Sequence, residues 1–315
     1  MLSSDELHPL AKEFGDTVRD RFPLETVFQR QRLTIGFSIG ALVALSWAYL
    51  VLMAIEMANH DSWASLGPGM SFFDSPETDW SAFAQTCLSI TSEAGTALGG
   101  FLMMPSHGAW SFTDLILVFV MWQVMVVAMM LPTAALTLLT FADINGNRYK
   151  GPSLFARTRN FITGYLLIWS SFSVLATLAQ WGLKEAALLS KGMVAVNPYL
   201  IGGVLFLAGA YQWSPLKEFC LNQCRNPMLF FMNKWRNGLS GALRMGIHHG
   251  LYCLGCCWAL MMVMFVTGTM NLAWAGILAV VMLAEKIVPH GELSGKVLGL
   301  MIAPSGLFLI LTKLI

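Results

Sequence analysis

Residues 33–55 read LTIGFSIGALVALSWAYLVLMAI, a stretch without a single charged side chain. A helix needs about 20 predominantly apolar residues to cross the hydrocarbon core of a bilayer, so this stretch predicts a transmembrane helix. Similar apolar runs follow it along the chain. They span residues 115–141, 161–183, 194–213, 246–268, 271–288 and 297–311. We therefore expect an all-α protein, a polytopic membrane helix bundle with about seven transmembrane helices.

The composition argues against an ordinary soluble protein. Of the 315 residues, 56 % are hydrophobic and only 12 % are charged, whereas soluble domains carry about 25 % charged residues. Too few polar side chains remain to cover a water-soluble globule of this size. The formal net charge of +1 gives no indication of a nucleic-acid partner. The expected partner is the lipid bilayer, and the expected location is the cell inner membrane, crossed several times.

The distribution of Lys and Arg predicts which loops face the cytoplasm. Loops rich in these residues alternate with loops that have few or none, as the positive-inside rule requires. The pattern places the N-terminus in the cytoplasm. Residues 1–32 mix both signs of charge, so we interpret them as a cytoplasmic amphipathic segment and residues 33–315 as the membrane helix bundle.

One insertion disturbs the helix count. Residues 57–113 contain no Lys or Arg and form the predicted outer loop, but residues 82–104 within it are apolar. A full span there would move every later loop to the other side and invert the charge pattern. We therefore interpret this stretch as a re-entrant or surface-lying helix. Four outer residues are weak candidates for a metal site: Glu56 and His60 at the end of the first helix, and Glu93 and His107 in the loop. Scattered acidic residues of this kind are usually just solvated, although the neighbours of Glu93 are apolar.

Residues 248–257, HHGLYCLGCC, carry the most informative chemistry. On a helix with about 3.6 residues per turn, one face bears an imidazole and three thiols, from His249, Cys253, Cys256 and Cys257. His248 lies beside this face and is a further candidate ligand. The competing interpretation is a set of small buried side chains plus a satisfied histidine. The density of thiols and imidazoles favours a metal site instead.

The ligand types predict which metal would bind. Thiolate and imidazole suit Cu(I) first, with zinc as the alternative. Methionines at four-residue spacing support copper, namely Met121, Met125 and Met129 on the helix that contains Pro132. Ordinary apolar packing is the more common explanation for such a methionine stripe.

An acidic residue in the next apolar run could belong to the same site. Counting both ways from the turn near Thr269, Glu285 falls at the depth of Cys253 and Met282 at the depth of Cys256. A carboxylate within an apolar run is unfavourable and is a functional hypothesis by default. Glu285 and Met282 are therefore candidate ligands. Glu285 could equally orient the imidazole of His249, or it could form an ion pair with Lys286 or Arg244.

Cys220 and Cys224 form a second candidate site. They are four residues apart on a predicted cytoplasmic helix with basic neighbours, so both thiols would lie on one face. The cytoplasm is reducing, which favours metal thiolates or redox thiols over structural disulfides. Simple packing at the membrane interface explains the pair equally well.

These motifs carry a family resemblance. The stretches are YQWSPLKEFCLNQCRNP (211–227), WRNG (235–238), GALRMGIHHGLYCLGCCW (241–258), the pair at 285–286 and WQVMVVAMMLP (122–132). Together they resemble a bacterial family of predicted metal-binding integral membrane proteins, a domain of unknown function, over about residues 110–300. The resemblance implies a helical, membrane-embedded fold and a metal-binding role.

Several functions fit these observations. The leading hypothesis is an integral membrane protein that binds Cu(I) and serves metal handling or a membrane complex, with His249, Cys253 and Cys256 as core ligands. The alternative is a copper-dependent membrane oxidoreductase, or a subunit of one, acting on an apolar substrate. A thiol redox relay and a purely structural subunit are further options. Other membrane subunits or a small soluble protein are the expected partners.

Overall fold

A computed structural model of the chain describes residues 24–60, 62–74, 110–146, 152–190 and 192–314. Within these ranges the fold is all-helical. In chain order the α-helices are α1 (Leu24–His60), α2 (Phe112–Gly146), α3 (Pro152–Glu185), α4 (Pro198–Tyr211), α5 (Pro215–Arg225), α6 (Pro227–Lys234), α7 (Gly238–Thr267), α8 (Leu272–Ile287) and α9 (Glu292–Leu314). Two 3-10 turns, Trp63–Leu66 and Met70–Asp74, follow α1.

Each predicted apolar run coincides with a helix, but the helices differ in length. In the described part of the chain, five are long and apolar enough to cross a membrane: α1, α2, α3, α7 and α9. The other two are α4, with 14 residues, and α8, with 16 residues. At a rise of 1.5 Å per residue these two are only about 21 and 24 Å long, against about 30 Å of hydrocarbon. Seven spans and their sidedness therefore stay a prediction.

Local sequence explains the two short helices. The apolar run at 194–213 begins in extended backbone, and the Asn197 side chain then accepts hydrogen bonds from the Tyr199 and Leu200 amides to start α4. Asn271 caps α8 in the same way by accepting from the Trp274 amide. Hydropathy counts the residues before such caps as helix, although their backbone is not helical.

The first helix is longer than its apolar run. It begins at Leu24, so residues 24–32 of the predicted N-terminal segment continue directly into the first candidate span. Residues 82–104, the predicted re-entrant stretch, lie outside the described residues.

Helix α7 is the centre of the bundle. In its most apolar stretch 67 % of the residues are buried, compared with 17 % in α9, so α7 is enclosed by protein while α9 lies at the edge. Its closest neighbour is α3. A side chain at Gly246 would collide with the Phe161 carbonyl, and one at Gly164 with the Leu243 carbonyl. These two glycines let the backbones of α3 and α7 touch, as small residues do between transmembrane helices.

The short helices α5 and α6 connect α4 to α7. The Ser214 side chain accepts from the Lys217 amide at the start of α5, and Pro215 occupies its first turn. α5 ends at Arg225 with Asn226 as its C-cap, and Pro227 starts α6. Because α5 packs against both α7 and α8, its buried face lies over the cysteine-rich part of the central helix.

Candidate metal centre

Four thiols converge where α5 lies on α7. Cys253, Cys256 and Cys257 of α7 are fully buried. The Sγ atoms of Cys256 and Cys257 are 3.4 Å apart, and Cys256 Sγ also contacts the Cys253 carbonyl at 3.2 Å. Cys224 of α5 is buried as well, and its electrostatic interaction with Cys253 and Cys256 places it next to this group. We call Cys224, Cys253, Cys256 and Cys257 the thiol cluster.

A buried lysine contacts the thiol cluster. Lys286 of α8 donates from Nζ to Cys253 Sγ at 3.1 Å and to the Thr133 hydroxyl at 2.9 Å. The Tyr165 hydroxyl of α3 lies 3.3 Å from the same sulfur and donates to the Met130 carbonyl at 3.1 Å. Side chains from α3 and α8 thus contact one cysteine of α7, and each of them also bonds to a residue of α2.

His249 lies one turn before the thiol cluster on α7. It is buried, and its Nδ1 has no hydrogen-bond partner among the described residues. Its ring packs on three aromatic rings, those of Tyr165, Phe161 and Phe230, with centroid distances of 5.7, 6.1 and 5.6 Å. A buried nitrogen without a partner is unfavourable, so this atom is suited to a ligand. His248, by contrast, places Nδ1 2.7 Å from the Arg244 carbonyl of its own helix.

Glu285 forms an ion pair with a lysine of α5. It is fully buried, and its Oε1 forms an ion pair with Lys217 Nζ of α5. The same ammonium also donates to the Gln212 side chain. A side chain at Gly295 would occupy the place of these charged groups. Sequence reasoning considered Lys286 and Arg244 as partners of Glu285 but missed Lys217, which is distant in sequence.

A second ion pair holds the other end of α5. Arg225 pairs with Glu292 of α9 and donates from Nη2 to the Val288 carbonyl at 3.0 Å. Helix α5 is therefore fastened at both ends, with Cys224 between the two attachments in sequence.

The comparison with protein families identifies the chain at the level of family. Residues 119–309 match the sequence model of a family described as PpoB2: Copper chaperone. The chain belongs to this family. The match runs from α2 into α9, so it includes the thiol cluster, His249 and Lys286. No curated protein and no solved structure matches the chain.

Membership of the PpoB2 copper chaperone family supports the predicted association with copper. The donor set fits that ion, because Cu(I) favours soft sulfur ligands and the cluster offers thiols with an unpaired imidazole nitrogen nearby. In the arrangement described, however, no three His, Cys, Asp or Glu side chains among the described residues are placed to hold an ion. Loading would therefore require the side chains to adjust.

The two cysteines of α5 have different surroundings. Cys220 packs against Gly255, where it would meet any added side chain at 2.6 Å, and its burial raises the pKa of its thiol. The hydrogen bond with Cys253 raises the pKa of Cys224 well above its ordinary value. The sequence predicted that Cys220 and Cys224 form a second site together. The structure instead places Cys224 next to the first candidate site.

The remaining candidates lie elsewhere. Met282 is fully buried in the apolar core. The methionines Met121, Met125 and Met129 are buried in the same core, which agrees with the packing interpretation of the stripe. Glu56 and His60 lie in the last two turns of α1. Glu93 and His107 are outside the described residues.

Proposed function

We propose that this chain is an integral membrane copper chaperone that holds Cu(I) at the thiol cluster and hands it to a partner. The observation that carries the proposal is the set of three buried thiols on α7, from Cys253, Cys256 and Cys257, within the part of the chain that matches the copper chaperone family. Copper is the cargo of such a protein. A site enclosed by apolar and aromatic side chains offers few oxygen ligands, which disfavours hard ions.

The ligands would be drawn from a small set. Cys253 and Cys256 lie one turn apart on the same face of α7, and Cys224 adds a thiol from α5. Cys257 and His249 Nδ1 are further candidate ligands on α7. We leave Glu285 out of the set, because its Oε1 forms an ion pair with Lys217 of α5 and no described contact joins it to a cysteine sulfur.

The membrane arrangement that we propose has seven spans, with α4 and α8 as short ones beside α9 and α7. The N-terminus and the α4–α7 connection would be cytoplasmic, and the protein would reside in the cell inner membrane. The charge distribution supports this sidedness, and five helices are long and apolar enough to span. A partner would then receive copper from the cytoplasmic side, either as another membrane subunit or as a small soluble protein.

Metal analysis of the purified protein in mild detergent tests the proposal, with copper and zinc measured together under reducing conditions. We expect copper in the wild-type protein and loss of most of it in Cys253→Ser, Cys256→Ser and Cys224→Ser. Cys220→Ser is the matched control, because it removes a buried thiol of the same helix α5 outside the cluster. Full copper content in both Cys253→Ser and Cys256→Ser would refute the site.

A further inference from the structure

We propose that Lys286 is the fixed counter-ion of the thiol cluster and makes it selective for Cu(I) over Zn(II). This inference rests on the proposed copper-binding function and adds a specificity-determining residue to it. Lys286 is not itself a ligand in this proposal. Its role is to set the total charge that the buried site can accept.

The position of the ammonium supports this role. Lys286 is only 5 % exposed. Its Nζ donates to the Cys253 sulfur at 3.1 Å and to the Thr133 hydroxyl at 2.9 Å. Neither is a carboxylate. The adjacent Glu285 directs Oε1 to Lys217 instead. Lys286 therefore contacts the sulfur of Cys253. Cys224, Cys256 and Cys257 also act on it electrostatically, as does the carboxylate of Glu285.

The burial of the Lys286 ammonium within an apolar helix is unfavourable unless it serves a function. Charged side chains within apolar helices are unfavourable, and those that occur generally mark functional sites. An apolar side chain on α8 could fill the same space without burying a charge. A buried ammonium is stabilised by a nearby anion. Because Glu285 already forms an ion pair with Lys217, the anion in this proposal is a thiolate at Cys253, whose sulfur lies 3.1 Å from Nζ of Lys286.

The charge of the loaded site then distinguishes the two ions. Cu(I) held by two thiolates forms a complex of charge −1, which the ammonium compensates. Zn(II) held by the same two thiolates forms a neutral complex and leaves the ammonium without an anion. Compensation with zinc would require a third thiolate, and therefore the ionisation of one more buried thiol. Burial disfavours each additional charge, so the site with Lys286 favours the monovalent ion.

The direct test removes the charge and measures both metals. Cu(I) affinity is determined by competition with a chromophoric Cu(I) chelator under anaerobic reducing conditions, and Zn(II) affinity with a fluorescent zinc indicator. For Lys286→Gln we expect Cu(I) affinity to fall about 10–100-fold, the range for residues that support metal ligands, while Zn(II) affinity holds or rises. For Lys286→Arg, which keeps the charge, we expect the Cu(I)/Zn(II) ratio to remain within about threefold of wild type.

The matched control is the double variant Lys217→Gln/Glu285→Gln, which removes the neighbouring buried ammonium together with its carboxylate. Its Cu(I)/Zn(II) ratio should equal that of the wild type. If Lys286→Gln does not fold, Lys286→Leu gives the same comparison without a buried amide.

Three results would bear on the inference differently. An equal fall in affinity for both metals in Lys286→Gln would show a structural role and overturn the selectivity argument. Unchanged affinity for both would also overturn it. Failure of the wild-type protein to bind Cu(I) would instead refute the proposed function, so the two failures are distinguishable.

Discussion

The ion pair between Lys217 and Glu285 allows a quantitative prediction about what fastens α5 to the bundle. Both side chains are almost completely buried, and one oxygen of Glu285, Oε2, has no hydrogen-bond partner among the described residues. Glu285→Gln would leave the Lys217 ammonium buried beside two neutral amides. Lys217→Gln would leave the carboxylate without its cation.

The expected magnitude follows from the burial of the pair. Removing one partner of a buried ion pair typically costs about 3–5 kcal/mol, because an uncompensated charge stays buried. We expect each single variant to lose a free energy of unfolding in that range. The double variant removes both charges, so its loss should be smaller than the sum of the two single losses by at least about 2 kcal/mol.

The assay is a double-mutant cycle on protein in detergent, with denaturant unfolding followed by circular dichroism for the wild type, both single variants and the double. Cu(I) affinity is measured in parallel and should stay within about twofold of wild type in folded Glu285→Gln. Additive losses would show that the two charges do not interact. A fall of Cu(I) affinity of tenfold or more in Glu285→Gln would return this residue to the metal site.

Three further predictions concern packing, the tyrosine and topology. Gly246→Ala should destabilise the protein by about 1–3 kcal/mol, as overpacking does, because the new methyl group meets the Phe161 carbonyl. Thermal unfolding measures this loss, and Gly276→Ala, at a position with open space, is the control. Tyr165→Phe removes a hydrogen bond to the Met130 carbonyl and should lower the unfolding free energy by about 0.5–1.5 kcal/mol, measured by denaturant titration. Reporter fusions after residue 60 should read outside and fusions near residue 150 inside, and the reverse result would overturn the proposed topology.

The helical framework could be predicted from hydropathy, whereas the contacts between helices could not. Apolar runs and the period of the helix placed Cys253 and Cys256 on one face of α7, where the structure has both buried. Counting from the turn near Thr269 predicted Glu285 at the depth of Cys253. It could not give the rotation of α8 about its axis, and Lys286, the residue after Glu285, is the one that contacts Cys253.

The role of Cys224 was also beyond sequence reasoning. The spacing of Cys220 and Cys224 predicts that they share a face of α5, but not which residues that face meets. The docking of α5 depends on features that are distant in sequence. These are the ion pairs at both ends of α5 and the absence of a side chain at Gly255, against which Cys220 packs. For Lys286, by contrast, the sequence did contain a signal. A lysine next to a glutamate at 285–286 is unusual in an apolar run, and an ionisable residue in a membrane span marks a functional site by default.

The attachment of α5 has a thermodynamic consequence. One thiol of the cluster comes from this peripheral helix and three come from the central one. Any ion that binds Cys224 and the α7 thiols together favours the docked position of α5 by the difference between its binding free energies in the docked and undocked positions. At a free ion concentration of 100 times Kd this linkage amounts to at most about 2.7 kcal/mol, the value for an undocked state that does not bind the ion. Undocking of α5 and dissociation of such an ion are thus coupled equilibria, and whatever promotes one promotes the other to the same extent.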